Sequence, residues 1–218
     1  MGGLDPNVAA FHRTLARTAM DVLGKRNIDC HYTRTGAEAR DLVLSMIPDE
    51  AQVMSGSSTT MVEIGLEQAL VAETRFDYMR TRVRGHADAR LRNDARRRAI
   101  VADVALGGVQ AVCLTGELVC TDAGGNRIAG YAFGGKRVIL VAGVNKIVHT
   151  LEEGIARTRR AATQEALRLD RHPPCLPDGI CRNHDCHPPH RECGKTLIIE
   201  FDQPGRISLV LIEEFLGF

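Results

Sequence analysis

Apolar residues along the chain keep two rhythms, one helical and one strand-like. From Val8 to Lys25 the positions Val8, Phe11, Leu15, Ala19, Val22 and Leu23 recur at helical spacing, which predicts an amphipathic helix closed by Gly24 and Asn27. Ile28 to Tyr32 reads as a short strand and Thr35 to Ile47 as a second helix that Pro48 stops. Gln52 to Met54 predicts a strand, Ser55 to Thr60 a small polar loop, and Met61 to Val71 a helix. Thr60 and Glu63 stand at capping-box spacing at its start.

The second half continues the alternation. A helix is expected from about Ala87 to Val101, then a β-prone stretch, Ala102 to Thr121, broken by Gly107-Gly108 and Gly116. Asp122 to Asn126 is a turn. Arg137 to Ala142 is a continuous apolar strand of the kind buried on both faces of a parallel sheet. Leu151 to Leu169 reads as a charged helix, and Leu197 to Phe201 and Ile207 to Glu213 as strands joined by a turn at Pro204-Gly205. The closing pair suggests a mixed sheet. The pattern predicts a three-layer α/β sandwich with a mainly parallel sheet, one domain over residues 1–218. Residues 173–194, with five prolines in 22 positions, form an irregular loop within it.

Composition narrows the function classes. The 218 residues are 44% apolar and 25% charged with a net charge of +1, which excludes global disorder and argues against general nucleic-acid binding. No run of ~18 apolar residues predicts a membrane span. Met1 to Ala10 lacks the pattern of a secretory signal, so a cytoplasmic location is expected. Seven cysteines, an odd number, fit thiols in a reducing compartment. The charge is uneven: Arg75 to Arg98 holds nine arginines against Asp77, Asp88 and Asp94. It is either a solvated helix face or a docking face for an anionic ligand or acidic partner.

Four of the cysteines ask for a chemical explanation. Cys175, Cys181, Cys186 and Cys193 form a C-x5-C-x4-C-x6-C run. Four thiolates can hold an iron–sulfur cluster or complete a tetrahedral zinc shell, and the intervening prolines and glycine lower the entropy cost of wrapping a loop around a metal. The all-cysteine set leans to iron–sulfur. Zinc is the alternative, with His184, His187 or His190 able to replace a thiolate. The bland reading is a loop with free cysteines.

Gly56-Ser57-Ser58-Thr59-Thr60 leads from a strand into a helix. Amides and hydroxyls there can hold an anion, or they can simply cap the helix. No Ser/His/Asp or Cys/His nucleophile arrangement stands out, and whether the chain is an enzyme stays open.

Several segments together resemble the LUD (lactate utilisation) domain family. They are Gly56 to Thr60 with Glu63 and Gly65; Ala102-Asp103; Gly116 to Val119; Gly125-Asn126-Arg127; Phe133-Gly134; Val141 to Val148; and Val210 to Phe218. The resemblance covers the chain from about residue 7 onward, the four-cysteine segment included. It implies a fold like that of the NagB/RpiA/CoA transferase group, in which the Gly/Ser/Thr loop commonly contacts phosphate or a similar anion. It makes Asn126, Arg127, Asn145 and Lys146 pocket candidates beside Gly56, Ser57, Ser58, Thr59 and Thr60, with Arg127 and Lys146 supplying positive charge to a small anionic ligand. Leu114 and Thr115 stand where relatives often carry an acidic residue. The implied function is a redox accessory component of L-lactate oxidation, with other lactate-oxidation subunits as partners. The alternative is an enzyme or sensor for a phosphate, CoA ester or hydroxy acid, with a structural zinc site.

Overall fold

The computed structural model describes residues 4–182 and 185–218; His184 lies outside them. Helix α1 (Pro6–Gly24) starts at Asp5, whose carboxylate accepts the Asn7 and Val8 amides at 2.9 and 3.4 Å. Pro6 follows, pre-set for the first helical turn. β1 (Ile28–Thr33) leads to α2 (Gly36–Ser45), which the Thr35 hydroxyl caps through the Glu38 amide at 3.2 Å. Next come β2 (Gln52–Ser55), α3 (Thr59–Glu63), α4 (Leu66–Ala72), β3 (Asp77–Tyr78), α5 (Met79–Gly85) and α6 (Ala89–Ala99). β4 (Val104–Gly108), β5 (Ala111–Cys113) and β6 (Leu118–Asp122) precede α7 (Asn126–Ala129), which runs into a π turn (Gly130–Gly134). The chain closes with β7 (Arg137–Gly143), a 3-10 turn (Val144–Lys146), β8 (Ile147–Val148), α8 (Leu151–Arg168), β9 (Lys195–Ile199) and β10 (Ile207–Ile212).

The main sheet has six parallel strands in the order β1-β10-β7-β4-β2-β3. Side chains alternate across it. Val104, Leu106, Ile139, Val141, Val210 and Ile212 meet α2, α3 and α4 on one face. Ala105, Val138, Leu140, Leu209 and Leu211 meet α1, α6 and the π turn on the other. Burial on both faces is why β7 reads as an unbroken apolar run. A smaller sheet, β8-β5-β6-β9, packs Val112, Leu118 and Cys120 into that second core, while Ala111, Cys113 and Val119 meet α8 behind it. The architecture is the expected three-layer α/β one, with the small sheet and α8 added. No helix among the described residues is long and apolar enough to cross a membrane.

Three details differ from the sequence reading. The expected helix from Met61 to Val71 is two helices, because Gly65 sits at φ 73° between them, a left-handed conformation that favours glycine. Ser58, not Thr60, caps α3, its hydroxyl accepting the Met61 amide at 3.4 Å. The closing strands do not pair: β9 runs antiparallel to β6 in the small sheet, and β10 inserts between β1 and β7. The antiparallel character therefore belongs to the second sheet.

Candidate functional site

The chain leaves β2 outward to the edge strand β3 and leaves β4, by way of the small sheet, inward to β7. Neighbouring strands with departures in opposite directions open a crevice at their carboxyl ends, where open α/β sheets bind ligands. A cleft of about 530 Å³ lies there. The Gly56–Thr60 loop, Gly108, Asn126, Arg127 and Lys146 line it, together with Arg80, Arg84 and Arg96 from α5 and α6, Glu165 from α8, Arg171 just after α8, and Arg191 and Glu192 from the cysteine-rich region. Six arginines and Lys146 line it against three carboxylates, Asp122 included, which leaves the lining net positive. The arginine-rich segment thus divides: Arg80, Arg84 and Arg96 border the cleft, while Arg82, Arg90, Arg97 and Arg98 are exposed.

The loop is shaped by what packs on it. A Cβ at Gly56 would lie 2.4 Å from Arg127 Cδ, and one at Gly108 would lie 2.7 Å from Ser58 Oγ. Arg80 donates to the Ser55 carbonyl at 3.2 Å and Arg168 to Ser57 Oγ at 2.6 Å. Thr59 Oγ1 is buried with no hydrogen-bond partner among the described residues. Arg127 holds the loop's far side. Its guanidinium donates to the carbonyls of Gly108, at 3.4 Å, and Thr121, and its amide donates to Asp122 Oδ2 at 3.0 Å.

Lys146 is 4% exposed and donates to Thr60 Oγ1 at 2.7 Å. Burial, with Arg157 and Arg127 nearby, pushes its amine down to about 7, so it is not the permanent cation the sequence suggested. Asn145 turns elsewhere. Its amide oxygen accepts the Leu216 amide at 3.1 Å and its nitrogen donates to the Leu216 carbonyl at 3.3 Å, clasping the segment after β10. That segment continues over α3, where the Gly217 amide donates to Glu63 at 2.7 Å. Glu117, beside the Leu114-Thr115 positions, is buried against Thr115 and Arg26, away from the cleft.

Sequence reasoning missed Arg157. It reaches from α8 to the carbonyls of Gln110, Phe218 (3.1 Å) and Asn145 (3.3 Å), joining the small sheet, the 3-10 turn and the closing segment. Nothing local distinguishes it from the other arginines of α8. Arg157→Ala should cost about 2–4 kcal/mol, since three carbonyls lose a charged donor at once. Arg157→Lys should recover part of it, as read from chemical denaturation midpoints.

Cys175, Cys181, Cys186 and Cys193 all line a second cavity of about 30 Å³. None is in a disulfide, and Thr163 Oγ1 lies 3.3 Å from Cys175 Sγ. Burial raises the Cys186 thiol, as do the neighbouring Cys193, Cys175 and Cys181, while Arg191 opposes them. Among the described residues no group of three or more His, Cys, Asp or Glu side chains is arranged to hold a metal ion. The cysteines are gathered but not in ligating geometry. His187 and His190 do not line this cavity; His190 Nδ1 accepts the His172 amide at 3.2 Å. Ala162 and Glu192 line both cavities, so a single layer of side chains separates them.

The LUD domain family model matches residues 16–212. No curated protein matches the sequence. Among solved structures, a DUF162 family protein from Deinococcus radiodurans is similar at 11% identity and TM-score 0.54, covering 92% of this chain and 98% of that one; this likeness shows the fold. eIF2B beta from Chaetomium thermophilum is similar over 54% of this chain and 44% of its own, at 16% identity and TM-score 0.36.

Proposed function

Since the family match spans most of its length, the chain belongs to the LUD domain family, and on that premise we propose that it is a redox accessory component of L-lactate oxidation. Its cationic cleft binds a small anion, and its four cysteines, gathered at one cavity, would close around an iron–sulfur cluster or metal ion. The observation that carries this reading is the shared wall between the cleft and the cysteine cavity. Cys175, Cys181, Cys186 and Cys193 would be the ligands, and a bound cluster would supply one-electron chemistry one side-chain layer from the anion. The chain's own residues do the rest: Arg127 and Arg80 hold the anion, and Ser58 and Thr59 offer hydroxyls to it. Other lactate-oxidation subunits would be the partners.

A second reading is favoured by the size of the cysteine cavity. About 30 Å³ admits one water-sized ion, which suits a single zinc stapling the loop, with the cleft then serving an enzyme or sensor for a phosphate, CoA ester or hydroxy acid. Anaerobic purification followed by iron, sulfide and zinc quantification decides between them. Iron with sulfide supports the redox reading, and about one zinc per chain supports the second. Cys181→Ser and Cys186→Ser should each lose the bound metal; full retention in both would remove these residues as ligands. A melting-temperature screen with phosphosugars, CoA esters and 2-hydroxy acids tests the cleft, and no shift with any of them would count against an anion site.

A further inference from the structure

We propose that Lys146 is a carbonyl-reactive amine, which forms an imine with an aldehyde or 2-oxo acid whose anionic group the cleft holds. The inference rests on the cleft being an anion site and adds a reaction to it. Lys146 ends the 3-10 turn after the central strand β7 and lines the cleft while almost wholly buried. Among the described residues its amine bonds the Thr60 hydroxyl alone and forms no ion pair with a carboxylate. The charged and titratable groups around it are Arg157 from α8, Arg127 from α7, Glu63 from α3 and Cys120 from β6.

An ammonium kept only for structure needs a buried counter-charge, because burying it unpaired is costly. Here two guanidiniums stand nearby, and burial and those cations place the amine near 7, which leaves much of it neutral and nucleophilic at neutral pH. The closing segment shuts the side away from the cleft: a Cβ at Gly217 would lie 3.1 Å from Lys146 Nζ and 2.4 Å from Thr60 Oγ1. The cleft supplies fixed cations for a carboxylate or phosphate, Arg127 and Arg80 among them, and the unpartnered Thr59 hydroxyl. In the step itself the Nζ lone pair attacks the carbonyl carbon, forming the C–N bond as the carbonyl π pair moves to oxygen. The resulting carbinolamine takes up a proton and loses water, leaving a protonated imine. Amine, carbonyl and proton give iminium and water, with nothing oxidised or reduced.

The chain has four lysines, and Lys25, Lys136 and Lys195 are exposed, so three internal controls come with the molecule. The full chain is incubated at pH 7 with pyruvate or glycolaldehyde phosphate, reduced with cyanoborohydride and mapped by peptide mass. One reduced adduct on Lys146 is expected, at least about tenfold above each other lysine, because an ordinary lysine is almost wholly protonated at that pH. Its yield should rise through about pH 7, and Lys146→Met, which removes the amine without burying a permanent charge, should keep the fold by circular dichroism and lose the adduct. Equal labelling of all four lysines, or equal labelling of Lys146 by uncharged acetone, overturns the proposal. So does the absence of any adduct at Lys146 while anions still raise the melting temperature, an outcome that leaves the anion site standing. Loss of both signals overturns the anion site as well.

Discussion

Gly107→Ala should destabilise the protein by more than about 3 kcal/mol, the upper range for overpacking a core. Gly107 lies in β4, between β2 and β7, with both faces of the sheet covered. A Cβ there would lie 1.6 Å from the Tyr131 hydroxyl oxygen and 2.8 Å from Tyr131 Cζ. Tyr131 is fully buried in the π turn, and a Cβ at the neighbouring Gly134 would meet the Ile100 carbonyl at 2.2 Å, so the turn has no room to retreat. Tyr131→Phe removes the oxygen that collides. The double variant should therefore recover part of the loss, a coupling of about 1 kcal/mol or more between two side chains in contact, with the remainder due to the ring carbon. Urea midpoints of the two single variants and the double variant measure it. A cost under about 1 kcal/mol for Gly107→Ala, or strict additivity, would mean that Tyr131 does not pack on β4 as described.

That contact shows why parts of the fold were legible in the sequence and parts were not. The runs at Val104, Val138 and Ile207 identify strands because side chains on both faces must be buried, and α1 and α8 show as helices because one stripe is. The π turn carries no local signal, since Gly130, Gly134 and Gly135 disfavour a helix, and it is Met54, Ile100 and Ala105 packed against these glycines that leave room for a tight turn alone. The partners of β9 and β10 are likewise set at long range. Arg206 donates to the Tyr131 carbonyl at 2.8 Å and the Gly135 carbonyl at 3.2 Å, and the Asp202 amide donates to the Arg26 carbonyl at 3.2 Å. These anchors separate two strands that look like a hairpin.

The site divides the same way. The Gly56–Thr60 loop is visible because strand, small polar residues and helix follow one another locally. The cysteine run is visible because its residue type is scarce elsewhere. Arg127 and Lys146 stood out only through the family resemblance, and Asn145, named with them, clasps Leu216 instead of lining the cleft. Arg80 and Arg157 look like any surface arginine, and only tertiary packing brings them to the carbonyls they hold. Neutrality near pH 7 at Lys146 is also a tertiary property, because burial and two guanidiniums from different helices create it.

Arg127→Met should weaken binding of whichever anion most raises the melting temperature by roughly 30- to 100-fold, about 2–3 kcal/mol for removing one buried charged partner. Three features make this the most sensitive cation of the cleft. Its stem fills the space over Gly56, its guanidinium ties the ends of β4 and β6 through Gly108 and Thr121, and its amide is held by Asp122. A methionine of similar length keeps the packing on Gly56, so the loss reports charge and donors more than a cavity. Arg127→Lys keeps the charge but cannot form the planar two-point contact, and should fall between the two. Arg96 lines the same cleft from an exposed position, where solvent screens its charge, so Arg96→Gln should cost less than about threefold. Calorimetric titration of the four proteins at fixed ionic strength separates the cases. If Arg127→Met binds the anion as tightly as the parent protein, the anion does not sit between β2 and β4. If Arg96→Gln loses as much as Arg127→Met, attraction by the whole cationic surface outweighs the buried guanidinium.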